Sequence, residues 1–149
     1  MTPRLIKPEA GVTQDVKVSV TTHGDRVRAS TGSAWEPKVG YSRAVRVGGH
    51  IAVTGTVGIE ADGSFAPTLE AQSRRSLTII RAAIEALGGS LTDVVRTRIY
   101  VTDISKWEEV GRVHGEFFGT IRPATTMVEV AKLIDAAALV EIEADAIVA

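Results

Sequence analysis

Apolar and polar residues alternate with a period of two along much of this chain, the signature of strands with one covered face. Val16, Val18 and Val20 alternate with polar neighbours. His23-Gly24-Asp25 then supplies turn chemistry before a short run over residues 26–30, which predicts a hairpin. Residues 41–47 alternate again, Gly48-Gly49 provides a turn, and a β-branched run over 51–54 ends at Gly55, predicting a second hairpin. In residues 94–102, Val95, Thr97, Ile99 and Val101 are expected on one face, with Arg96, Arg98 and Tyr100 on the other. Two last strands are expected near 125–133 and 139–148. In the second of them Glu141, Glu143 and Asp145 form an acidic row on one face.

Between these runs the period changes to that of a helix. Thr68 is placed to cap a helix whose Leu69, Leu77, Ile80, Ile84 and Leu87 share one side, and Gly88-Gly89 stops it. Ser105 and Glu108 fit a capping box ahead of Trp107, Val110, His114 and Phe117, with Gly119 and Pro123 as terminators. Trp107 is expected in the core on the apolar side of that helix. Residues 31–40 read as an ordered surface loop anchored by Trp35. The resulting order is strand, strand, helix, strand, helix, strand, strand, an α+β arrangement whose two helices cover one face of a sheet of about four to six strands. The other face is left bare, and because an exposed apolar sheet face is a liability unless something packs on it, association with copies of the chain is the expected remedy.

The totals narrow the function classes. At 149 residues the chain fits one domain with a core that needs no staples. Its net charge of −1 makes no positive field, so nucleic acid is an unexpected partner. With no cysteine, disulfides and thiol catalysis are excluded. Residues 1–11 hold no apolar run long enough for a signal or a membrane span, so a soluble, cytoplasmic protein is expected. His23, His50 and His114 lack metal-ligand spacing. Neither a dinucleotide fingerprint, a phosphate loop nor a G-x-S-x-G elbow is present. No metal or organic cofactor is expected.

Particular residues say more than periodicity. Gly40-Tyr41, the runs 48–55, 71–88 and 96–103, Phe117-Phe118, Pro123-Ala124, Val128-Glu129-Val130-Ala131 and Val140-Glu141-Ile142-Glu143-Ala144 together resemble the reactive-intermediate deaminase (Rid or YjgF) family. The resemblance runs from about residue 26 to the C-terminus, leaving 1–25 as an N-terminal extension and 26–149 as the Rid-like domain. It implies a chorismate-mutase-like fold assembled as a homotrimer, with ligand clefts between subunits. In deaminating members it implies hydrolysis of enamines or imines to 2-oxo acids and ammonia, without a cofactor.

The resemblance also implies a site: an arginine that holds a substrate carboxylate, a tyrosine, backbone groups near a glycine, and a glutamate that positions water. The last three fall on Tyr41, Gly55 and Glu141. The arginine should follow Pro123-Ala124, but Thr125 stands there, and one hydroxyl cannot reproduce a bidentate guanidinium contact. Thr125, Thr126 and the Met127 N–H are then candidate ligand contacts. Arg43 and Arg122 are candidate replacements for the clamp, and Trp35 is a candidate cover for the ligand. Each has a plainer alternative: the acidic row pairs with Arg96 and Arg98, the threonines start a strand, the arginines serve the surface, and Trp35 anchors its loop. The expected function is binding of a small polar metabolite with a deaminase-like hydrolytic step. The alternatives are a non-catalytic ligand-binding or regulatory homologue, or an endoribonuclease.

Overall fold

The computed structural model describes residues 16–149. Seven strands form one mixed sheet: β1 (Ser19–His23), β2 (Arg26–Ser30), β3 (Ala44–Val47), β4 (His50–Val57), β5 (Val94–Val101), β6 (Ala124–Glu129) and β7 (Val140–Ile147). Their spatial order is β1-β2-β3-β4-β7-β5-β6. All neighbours are antiparallel except β5 and β6, which are joined through a crossover helix, as a parallel pair requires. The helices are α1 (Trp35–Val39), α2 (Leu69–Ala86) and α3 (Trp107–Phe118). None of those described is long and apolar enough to cross a membrane.

The long elements form for the reasons their sequences suggest. Thr68 Oγ1 accepts from the Ala71 N–H at the start of α2, and Gly88 leaves the helix at φ +83°. Gly48, at φ +58°, turns β3 into β4. The core lies between the sheet and the two longer helices. Ile51, Val53, Ile99, Val101, Val140 and Ile142 meet Leu77, Ile80 and Ile84 of α2 and Val110, Val113 and Phe118 of α3. Each such side chain contributes about 1.5–3 kcal/mol through burial.

Five expectations need correction. Residues 31–40 contain a helical turn, α1, because the Glu36 carboxylate gathers the Thr31 and Ser33 N–H groups and folds the segment onto itself. The cap ahead of α3 is Asp103, whose carboxylate accepts from the Ser105 N–H; the helix begins at Trp107 with no side-chain cap. Trp107 is 53% exposed, standing at that first residue beside Gly111, where an added methyl would lie 3.7 Å from its ring. Val95 is exposed because a bulge between Val94 and Arg96 removes it from the alternation. Finally, the bare face is polar. Pairing register puts Arg28, Arg98, Tyr100, Thr126, Glu141, Glu143 and Asp145 on it, with Val45, Ala52 and Val128 among them.

Candidate functional site

The acidic row of β7 divides into two kinds of carboxylate. Arg98 Nη1 lies 3.3 Å from Glu143 Oε1 and 3.2 Å from Asp145 Oδ2. Tyr100 donates its hydroxyl to Glu143 at 3.1 Å, and His50 Nε2 is 3.2 Å from Asp145. Glu141 has no cation within 4.0 Å among the described residues. It is half-buried, paired in register with Val57 on one side and Tyr100 on the other.

Glu141 folds over Gly55. A bulge between Val53 and Thr56 takes Thr54 and Gly55 out of the β4–β7 ladder, and a Cβ on Gly55 would lie 3.0 Å from the Glu141 Cδ, with the carboxylate oxygen closer still. Glycine leaves the space that the carboxylate occupies. Burial, and then repulsion from Glu143, raise the Glu141 pKa above the ordinary value of 4.5, while Arg43 opposes the rise. The carboxyl group is thereby biased toward its protonated form.

Tyr41 and Arg43 reach the same place from the segment leading into β3. Arg43 is only 8% exposed. Its Nη1 donates to Gly55 O at 3.1 Å and to Thr56 Oγ1 at 3.2 Å, and its Nε donates to Thr31 Oγ1 at 3.4 Å. Thr31 in turn hydrogen-bonds Glu36 Oε2, and the Gly40 and Tyr41 N–H groups close on the Glu36 carbonyl. The Arg43 Cζ stands 5.8 Å from the centre of the Tyr41 ring. Thr31, Glu36 and Thr56 were not singled out in the sequence, and Tyr100 was named only as part of the face it shares with Arg96 and Arg98. Their only advance signal was nearness in sequence or register to those that were.

The structure therefore brings Tyr41, Arg43, Gly55 and Glu141 together. Thr126 shares their face, opposite Arg98 on the far side of β5 from β7, about 10 Å from β7 at the usual strand spacing. Thr125 projects from the other face. Its hydroxyl is 2.8 Å from Thr97 Oγ1 and 3.3 Å from the Pro123 carbonyl, and Thr97 Oγ1 is 2.8 Å from His114 Nε2. Met127, on that same face, packs half-buried against the core. Arg122 sits exposed in the turn before β6 at φ +57°, and Trp35 stands exposed on α1 with Lys38 Nζ 5.2 Å above its ring. A cavity of about 300 Å³, lined by Val16, Val18 and α2 residues including Arg81 and Glu85, includes none of the cluster. The clustered residues lie on the uncovered sheet face instead. Among the described residues no three His, Asp or Glu side chains are grouped to hold a metal.

Known proteins resemble this chain over the same region. The family model described as Endoribonuclease L-PSP matches residues 31–148. A crystal structure of Rv2704 from Mycobacterium tuberculosis, a member of the YjgF/YER057c/UK114 family, is 54% identical with a TM-score of 0.78, covering 83% of this chain and 99% of that one. The uncharacterized protein SCO2049 of Streptomyces coelicolor is 34% identical, covering 80% of this chain and 90% of its own. A protein of Dermatophagoides farinae named 2-iminobutanoate/2-iminopropanoate deaminase is 31% identical, covering 70% and 83%. The matched span contains the helices, β3 to β7 and all four clustered residues, and on that ground the chain belongs to the YjgF/RutC/Rid family.

Proposed function

We propose that this protein binds a small polar metabolite on the polar sheet face, in a cleft completed by a neighbouring copy in a homotrimer, and hydrolyses imine-type C=N bonds there. The balanced step is R₂C=NH + H₂O → R₂C=O + NH₃. Glu141 orients the water and takes its proton as oxygen adds to carbon. It returns that proton to the nitrogen, giving the carbinolamine R₂C(OH)NH₂, and then carries the hydroxyl proton to the nitrogen as the C–N bond breaks, so that C=O forms and ammonia leaves. The Tyr41 hydroxyl and the Gly55 backbone hold the ligand, with Thr126 at the far side.

The observation that carries this reading is the difference within the acidic row. Glu143 and Asp145 are occupied by Arg98, whereas Glu141 has no paired cation among the described residues and stands over Gly55 with a raised pKa. The deaminase name of the mite relative points to the same chemistry. Ribonuclease chemistry, named in the family description, draws no support from a net charge of −1 or from histidines on opposite sides of the sheet, His50 near Asp145 and His114 on α3.

One observation favours a second reading, ligand binding without turnover. Thr125, where the resemblance expects a carboxylate-holding arginine, keeps its hydroxyl on the helical side with Thr97. Imines generated in place by an amino-acid oxidase, timed against spontaneous decay, decide between the two. Ammonia release faster than decay supports hydrolysis. A ligand-dependent rise in Tm without faster release supports binding alone. Neither response overturns both.

A further inference from the structure

We infer that Arg43 is the anion anchor of this site, and that its free guanidinium edge recognises the carboxylate of a small monocarboxylate ligand in place of the arginine expected at Thr125. The inference rests on the reading that the Tyr41, Gly55 and Glu141 cluster is where the ligand binds.

Arg43 is an unusual buried arginine. A guanidinium offers five N–H donors, and three are bonded: Nε to Thr31, and Nη1 to Gly55 O and Thr56 Oγ1. All three acceptors are neutral. Among the described residues no carboxylate lies within 4.0 Å, so a charge that is always present is buried without a direct counter-ion, an arrangement that normally calls for one. The remaining two donors are both on Nη2. Nη2 has no hydrogen-bond partner among the described residues, and it is not sealed from solvent, since Ser76 Oγ is the only sealed side-chain polar atom there without a partner; the rest of the group is clamped.

The surroundings suit an anion. The Tyr41 ring centre lies 5.8 Å from the guanidinium carbon. The other arginines offer less. Arg98 is already neutralised by Glu143 and Asp145. Arg122 is exposed in its turn, with none of the tethers that hold Arg43. The ligand class that follows is a small monocarboxylate.

Calorimetric titration of the full-length protein with 2-oxobutanoate and with its uncharged carboxamide tests this. The wild type should bind the carboxylate at least about tenfold more tightly, as expected for loss of one charge-assisted contact. Arg43→Lys should erase that preference, while Arg122→Lys keeps it. Equal binding of the two probes by the wild type overturns the inference even if Arg43→Lys fails to fold. An intact preference in folded Arg43→Lys, or its loss in Arg122→Lys, overturns it as well. Carboxylate binding without ammonia release refutes hydrolysis and leaves Arg43 in place. Imine turnover with an intact preference in Arg43→Lys does the reverse.

Discussion

Glu141 and Gly55 are one device, because the absence of a side chain on the second makes room for the carboxylate of the first. Gly55→Ala must push that carboxylate aside. Because a displacement of about 1 Å at a reacting group costs roughly 10²-fold, imine hydrolysis should fall by that order with the fold retained by circular dichroism. An unchanged rate would show that Glu141 does not act from this position. The raised pKa of Glu141 also has a stability consequence. The folded state binds its proton more tightly than the unfolded chain, so the stabilisation is full below the usual value of 4.5 and is lost as pH rises through the folded pKa. Glu141→Gln, which stays neutral, should therefore gain stability relative to the wild type as pH climbs above 4.5, measured by urea denaturation across pH. A pH-independent difference would contradict the burial of this carboxyl. At this scale the sequence named Tyr41, Arg43, Gly55 and Glu141 but said nothing of Thr31 and Glu36. Those two matter through a loop held by hydrogen bonds from side chain to backbone, which a hydropathy pattern does not encode.

Among the elements, α2 and the β3–β4 hairpin were legible because a long amphipathic period and a Gly-Gly turn are local signals. The bulges were not, since one added residue is visible only against its partner strand. Val95 was consequently expected on the covered face, and Trp107 was expected in the core because helical spacing cannot say whether a helix's first residue still lies over the sheet. The least legible feature is the clasp that fixes the start of β7. Gln72 Nε2 donates to the Ala66 and Ala137 carbonyls at 3.0 and 2.9 Å, and its Oε1 accepts from the Leu139 N–H at 2.8 Å, two residues before Glu141. Gly58 permits the contact, for a Cβ there would lie 2.5 Å from the Gln72 Cα. Gln72→Leu keeps the bulk and strands these groups at about 1–3 kcal/mol for each that stays buried. Its unfolding free energy should drop by at least about 2 kcal/mol in urea, whereas a drop under about 0.5 kcal/mol would mean that the carboxamide only fills space.

For the molecule as a whole, the sequence anticipated one covered and one uncovered sheet face, and the uncovered face proves to be charged. That changes the argument for assembly. A polar face has no need of cover for solubility, so association should draw on complementary charge and on the exposed Val128 and Ile147 rather than on a broad apolar surface, and should weaken with salt. Sedimentation equilibrium should return about three times the chain mass of 15.8 kDa at low ionic strength. A monomer under those conditions would contradict the shared cleft. Whether Glu141 on this face does chemistry is decided by ammonia release from oxidase-generated imines with the wild type and with Glu141→Gln. Release should be faster than spontaneous decay in the wild type and fall by about 10²–10⁴-fold in the variant. A wild type no faster than decay, or a Glu141→Gln protein that keeps the wild-type rate, would contradict catalysis by Glu141.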